Sequence, residues 1–136
     1  MKKLRILVVE DETILALDLA MCLGDLGHEV AATARTGEQA IQKASESQLD
    51  LVIMDITLDS EMDGIQAAEI INRGHQVPLI YVTAHADDKT RQRAEMTKPL
   101  GYLTKPIRTQ ELEKALSLVE QATAPGAVIP SLPNCE

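Results

Sequence analysis

The chain has 136 residues, 45% of them hydrophobic, which is enough for one domain with a real core and excludes a disordered polymer. Its formal net charge of −8 argues against nucleic acid or an anionic membrane as partner, since both call for a basic patch, and it suits a cation site. With two Tyr and no Phe or Trp the core must be aliphatic, and two cysteines, Cys22 and Cys135, make no disulfide framework, so a reducing cytoplasm is expected.

The N-terminal Met-Lys-Lys-Leu-Arg has the basic character of a secretory signal. The apolar run behind it, Ile6-Leu-Val-Val9, gives way to Glu10-Asp11-Glu12 and is too short for one. No stretch approaches transmembrane length. Residues 4–9 read as a first strand, and residues 13–26 as a first helix that stops at Gly27. That helix carries two apolar stripes: Leu15, Leu19, Cys22 and Leu26 on one side, Ile14, Leu17 and Met21 on another. A one-faced surface helix needs only the first. Residues 28–34 form a weaker second strand, nearer an edge. Thr36-Gly-Glu-Gln39 has the capping-box spacing and opens a second helix to about residue 47.

Residues 51–54, Leu-Val-Ile-Met, show no polar alternation, as expected of a parallel strand covered by helices on both faces. The run ends abruptly in Asp55. A loop with Asp59, Ser60, Asp63 and Gly64 leads into a third helix over 65–73. Residues 78–83 are a fourth strand, with Pro78 at a tolerated first position. Asp87-Asp88 start a short polar helix to residue 96, residues 101–104 form a fifth strand, and Thr109 caps a last helix ending near 122. Residues 1–122 are thus the expected domain. The stretch 123–136, with Pro125, Gly126, Pro130 and Pro133, reads as a flexible tail or the start of a linker.

A repeated β-α unit predicts an α/β fold with a parallel, doubly wound sheet. The first strand ends in Glu10-Asp11 and the third in Asp55, so these carboxylates crowd the edge where open α/β sheets place ligands. Like charges that close raise one another's pKa and oppose folding unless something neutralises them. Mg2+ would: it takes one or two carboxylates, keeps several waters and leaves room for phosphate oxygens. The plainer reading is a set of unrelated surface acids. Thr83 ends the fourth strand and Lys105-Pro106 follows the fifth, on the same edge. Alone, such a Thr is usually a turn residue and such a Lys solvated; together they would flank an anion bound at Asp55. The Lys105-Pro106 bond can be cis, in a turn that aims the Lys inward. His28, His75 and His85 show no ligand spacing.

Ile6-Leu-Val-Val-Glu-Asp-Glu12, Asp50-Leu-Val-Ile-Met-Asp55, Met62-Asp-Gly64, Thr83-Ala84 and Gly101-Tyr-Leu-Thr-Lys-Pro106, in this order, resemble the receiver domains of two-component response regulators over residues 4–122. The resemblance implies a single-domain, flavodoxin-like five-stranded parallel sheet of order 2-1-3-4-5 with five helices. It implies that Asp55 accepts a phosphoryl group from a phosphohistidine on a sensor histidine kinase or histidine phosphotransfer protein. Asp11, Asp55 and the backbone carbonyl of Thr57 would ligate Mg2+, with Glu10 acting through water. Lys105 would pair with Asp55 and then with phosphoryl oxygens, Thr83 would hydrogen-bond the phosphoryl group, and Tyr102 would follow from an outward to an inward rotamer. The face of the fourth helix, fifth strand and fifth helix would then repack and regulate a downstream effector or output domain.

The same resemblance implies a regulatory domain rather than an enzyme, in the cytoplasm, with no direct nucleic-acid or membrane contact and with a phosphorylation-dependent homodimer as one mode of response. Ile14, Leu17 and Met21 become a docking patch for the kinase's helical domain; scattered surface hydrophobes are the alternative. Thr57 and His85 occupy positions where family members vary and phosphoryl lifetime is affected. Tyr81 is a packing residue. Two stretches depart from the family pattern: the loop after Asp55 is longer and acidic, and Met96-Thr-Lys-Pro-Leu-Gly101 replaces the usual turn before the fifth strand. A Mg2+-dependent phosphohydrolase with an Asp nucleophile would carry a second acid two residues on, where this chain has Thr57. A receiver-like module that takes no phosphate would have no need of Asp55, Thr83 and Lys105 together.

Overall fold

The computed structural model describes residues 3–123 except 59, 75, 85 and 86. Strands and helices alternate: β1 (Arg5–Val9), α1 (Thr13–Asp25), β2 (Glu29–Ala34), α2 (Gly37–Glu46), β3 (Leu51–Asp55), α3 (Gly64–Gly74), β4 (Leu79–Thr83), α4 (Asp88–Met96), β5 (Gly101–Thr104) and α5 (Thr109–Thr123). The strands pair in parallel in the order β2-β1-β3-β4-β5, as the resemblance implies. His75, His85, Asp59, Cys135 and the expected tail from Ala124 onward lie outside the described residues.

The central strands are apolar from Ile6 to Val9, from Leu51 to Met54 and from Leu79 to Val82 because each face has its own helical cover. Leu7, Val9, Val52, Met54, Leu79 and Tyr81 pack with residues of α2, α3 and α4, among them Ala40, Ile65, Ala68 and Ala94. Their sequence neighbours Ile6, Val8, Leu51, Ile53, Ile80 and Val82 pack on the other face with Leu23 of α1 and Leu112, Leu116 and Val119 of α5. The period of two along a strand sorts these sets to opposite faces.

Three helix starts are closed by side chains. Thr36 Oγ1 accepts the Gln39 N–H at 3.1 Å, and Gln39 Oε1 accepts the N–H of Arg35 at 2.8 Å, one residue further back than in the usual capping box. Asp63 and Gln66 cap α3 reciprocally, at 2.9 and 3.0 Å. Asp87 Oδ1 accepts from the Thr90 N–H at 2.9 Å. At the other end of α1, Gly27 takes a φ of 92°, a left-handed turn that suits glycine. His28 is buried, and its Nδ1 accepts the Leu4 N–H at 3.1 Å, a structural use that needs no ligand.

Helix α1 turns the expected stripe inward but covers it only in part. Its buried residue is Leu23, while Leu15 is 36% exposed and Leu19, Cys22 and Leu26 are only partly covered. At about 100° per residue these four positions share an arc of roughly 60°, and Leu23 lies about 40° beyond Leu19, at the edge of the arc that the core covers most fully. Leu23→Ala is therefore expected to cost about 3 kcal/mol of stability, and Met21→Ala, at a site 68% exposed, no more than about 0.5 kcal/mol. Urea unfolding of both variants measures this; equal losses would contradict the assigned inner face.

Candidate functional site

All five strands run the same way, so the residues at their C-terminal ends share one edge. Glu10 and Asp11 follow β1, Asp55 closes β3, Thr83 closes β4, and Lys105 follows β5. Carboxylate oxygens of Glu10, Asp11 and Asp55 lie within 4.8 Å of one another. Lys105 Nζ stands between two of these acids, 2.8 Å from Glu10 Oε1 and 2.8 Å from Asp55 Oδ2. The Lys105-Pro106 peptide is cis. Asp55 is 4% exposed, and its second oxygen, Oδ1, accepts the Thr57 N–H at 3.0 Å. Glu10 Oε2 accepts the Glu12 N–H at 3.1 Å.

These contacts set the ionisation of the site. Burial pushes Glu10 up to about 7 despite the opposing pull of Lys105 and the Glu12 amide, and nearby Asp55 pushes the same way. Burial draws the Lys105 ammonium down, but hydrogen bonds to Asp55 and Glu10 outweigh it and hold the group above its ordinary value. The ammonium is therefore a fixed cation at neutral pH.

Two clefts flank the strand ends, and Thr83 lies between them in sequence register, one residue past the Val82 that pairs with Asp55, with its carbonyl accepting the Lys105 N–H at 2.8 Å. Glu10, Asp55 and Lys105 open into an apolar cleft between α1 and α5, lined by Leu15, Leu19, Ile107 and Leu112. Thr83, 1% exposed, lines a separate cleft toward α4, with Thr57, Asp63, Thr90 and Arg93. Tyr102 is on that side too, 6% exposed, with the Arg91 guanidinium 5.7 Å from its ring centroid. Tyr81 is buried, and its hydroxyl pairs with Thr97 Oγ1 at 2.7 Å. Ala94 is the one buried residue of α4. That helix is fastened by the Tyr81–Thr97 bond and by Arg93, whose Nη2 reaches Asp63 Oδ2 at 2.9 Å. Arg93 and Arg91 carry no local sequence signal for these roles. The Asp63 cap does, as Asp-x-x-Gln ahead of an apolar helix.

The longer loop after Asp55 returns to the sheet at Gly64, whose N–H donates to the Ile56 carbonyl at 2.8 Å. A Cβ at this position would overlap the Asp55 carbonyl oxygen and stand 2.9 Å from Ile56 Cα. The Met-Asp-Gly motif thus serves two neighbours: Asp63 caps α3, and Gly64 lets that helix start against the backbone of the Asp55 turn.

The profile of the response regulator receiver domain family matches residues 6–117. The chain belongs to this family. It is thus a receiver domain, a regulatory module of two-component signalling. It is 34% identical over 114 residues to the transcriptional regulatory protein PdtaR of Mycobacterium tuberculosis, covering 84% of this chain and 55% of that protein. It is 33% identical to the phyllosphere-induced regulator PhyR of Methylorubrum extorquens, covering 82% of this chain and 42% of PhyR. The receiver thus spans about half the length of these relatives. Among solved structures, the signal receiver domain of a modulated diguanylate cyclase from Desulfovibrio desulfuricans superposes with a TM-score of 0.81 at 31% identity, over 87% of this chain and 94% of its own. Among the described residues no helix is long and apolar enough to cross a membrane.

Two outcomes follow from the site. Unfolded Glu10 releases its proton near 4.5 and folded Glu10 near 7, so the folded state binds more protons between these values. In metal-free protein this contribution is full below pH 4.5 and lost as pH rises through about 7. Glu10→Gln is expected to remove a slope of up to about 1.4 kcal/mol per pH unit, read from urea unfolding in EDTA; an unchanged slope would assign it to other groups. Gly64→Ala is expected to cost at least about 2 kcal/mol by the same method.

Proposed function

We propose that this receiver is a phosphoryl-accepting switch with Asp55 as acceptor. The observation that carries this reading is the position of the Asp55 carboxylate, fixed at one oxygen by Lys105 at 2.8 Å and at the other by the Thr57 amide at 3.0 Å. An Asp55 oxygen attacks phosphorus as the P–N bond of a donor phosphohistidine breaks; the electron pair stays on that nitrogen, and the imidazole leaves neutral with the proton already carried by its other ring nitrogen. Lys105 then meets the phosphoryl oxygens as it now meets the carboxylate. Glu10 and Asp11 beside Asp55 form an all-oxygen donor set of the kind Mg2+ prefers. Asp11, Asp55 and the Thr57 carbonyl would hold the ion, with Glu10 acting through water. Bound there, Mg2+ supplies neutralisation of the charge that gathers during transfer.

Thr83 is read as the phosphoryl sensor and Tyr102 as its follower. Both belong to the α4 side, so the readout is a repacking of α4, β5 and α5 that an effector, an output domain or a second copy detects. Such a switch assists only its own phosphorylation and is not an enzyme acting on a separate substrate. The donor kinase or phosphotransfer protein docks on α1, where Ile14, Leu17 and Met21 are 75%, 59% and 68% exposed beside the acceptor cleft. A cytoplasmic site of action fits a histidine kinase donor.

Incubation with Mg2+ and acetyl phosphate should give one phosphoryl-sized mass increment, lost on mild base treatment and absent from Asp55→Asn. An adduct persisting in that variant would remove Asp55 as acceptor, and steady phosphate release from unrelated esters would favour a hydrolase. Mg2+ at roughly tenfold its Kd should raise the melting temperature by about 4 °C by relieving carboxylate repulsion.

A further inference from the structure

The loop that carries Asp11 is tied to the β2–α2 loop at two points. The Glu10 N–H donates to the Ala34 carbonyl at 3.0 Å. One residue further along each segment, Arg35 Nη2 donates to the Asp11 carbonyl oxygen at 3.2 Å. Arg35 is itself held in place. Its N–H donates to Gln39 Oε1 at 2.8 Å, and the Gln39 N–H donates to Thr36 Oγ1 at 3.1 Å. The cap of α2 therefore fixes the backbone of Arg35, and the side chain of Arg35 fixes the backbone of Asp11.

The position has an electrostatic use. Glu10 and Asp55 project from the ends of buried strands and share the Lys105 ammonium. Asp11 lies one residue further out, half-buried, where mutual repulsion of three acids would open its loop. A guanidinium is always charged, and its donors point in fixed directions. Bonded to the Asp11 main chain, it restrains the loop that carries this side chain. We infer that Arg35 is a positioning residue for divalent-cation binding, an inference that rests on the Mg2+ reading above. In metal centres generally, loss of a residue that orients a ligand weakens the metal roughly ten- to a hundredfold.

Mg2+ titration by calorimetry tests this on the wild type, Arg35→Ala, Arg35→Lys and Gln39→Ala. Arg35→Ala should weaken Mg2+ binding about tenfold. Arg35→Lys, which keeps charge and an N–H donor, should recover part of the loss, and Gln39→Ala should show a smaller loss of the same sign. In acetyl phosphate reactions, the Mg2+ concentration at half-maximal rate should rise in Arg35→Ala while the rate at saturating Mg2+ stays near wild type. An unchanged Mg2+ Kd, with a fall in melting temperature equal in EDTA and in Mg2+, would make Arg35 a loop brace and overturn the inference. Tighter binding in Arg35→Ala would overturn it too, by showing that the guanidinium repels the ion. A wild type that binds no Mg2+ would instead bring down the Mg2+ reading, and this inference with it. Should Arg35→Ala fail to fold, Gln39→Ala decides through the same Kd.

Discussion

The Lys105 ammonium, 2.8 Å from both Glu10 and Asp55, is the interaction on which this edge of the molecule depends. A parallel sheet brings every strand's carboxyl-terminal residue to one rim, and here two adjacent strands deliver acids to it. Without a counter-charge those acids would oppose the fold that gathers them. Removing one partner of a buried ion pair costs far more than never having built it, because the remaining charge stays desolvated. Burial keeps the Glu10 proton affinity raised even with the ammonium beside it, and Asp55 adds to the effect.

Much of the architecture was legible in the residues. Strand three needed only its unbroken apolar run, and helices two and four announced themselves by their caps. Element limits fell within about two residues because Gly, Pro, Asp and Thr punctuate the junctions. Parallel strands bring Glu10, Asp11, Asp55 and Lys105 to one edge, and the strand order that the resemblance implies makes the first and third strands neighbours there.

What stayed hidden depends on the third dimension in a specific way. A stripe of leucines marks a helix as amphipathic, but its contact line depends on how the helix lies across a twisted sheet, so Leu23 did not stand out from Leu19 or Leu26. Arg35 on Asp11 and Arg93 on Asp63 join loops distant in sequence, and no local pattern distinguishes such an arginine from a solvated one. The separate cleft that Thr83 lines became visible only with both helical layers in place.

That separation has a consequence for assembly. The acids and Lys105 open between α1 and α5, whereas Thr83 and Tyr102 face α4. On the reading proposed above, a donor on α1 and an effector on α4 would meet the receiver on different helices. On the same reading, a phosphoryl signal would cross the sheet at the strand ends. Whatever tightens one side must, by thermodynamic reciprocity, be tightened by occupation of the other.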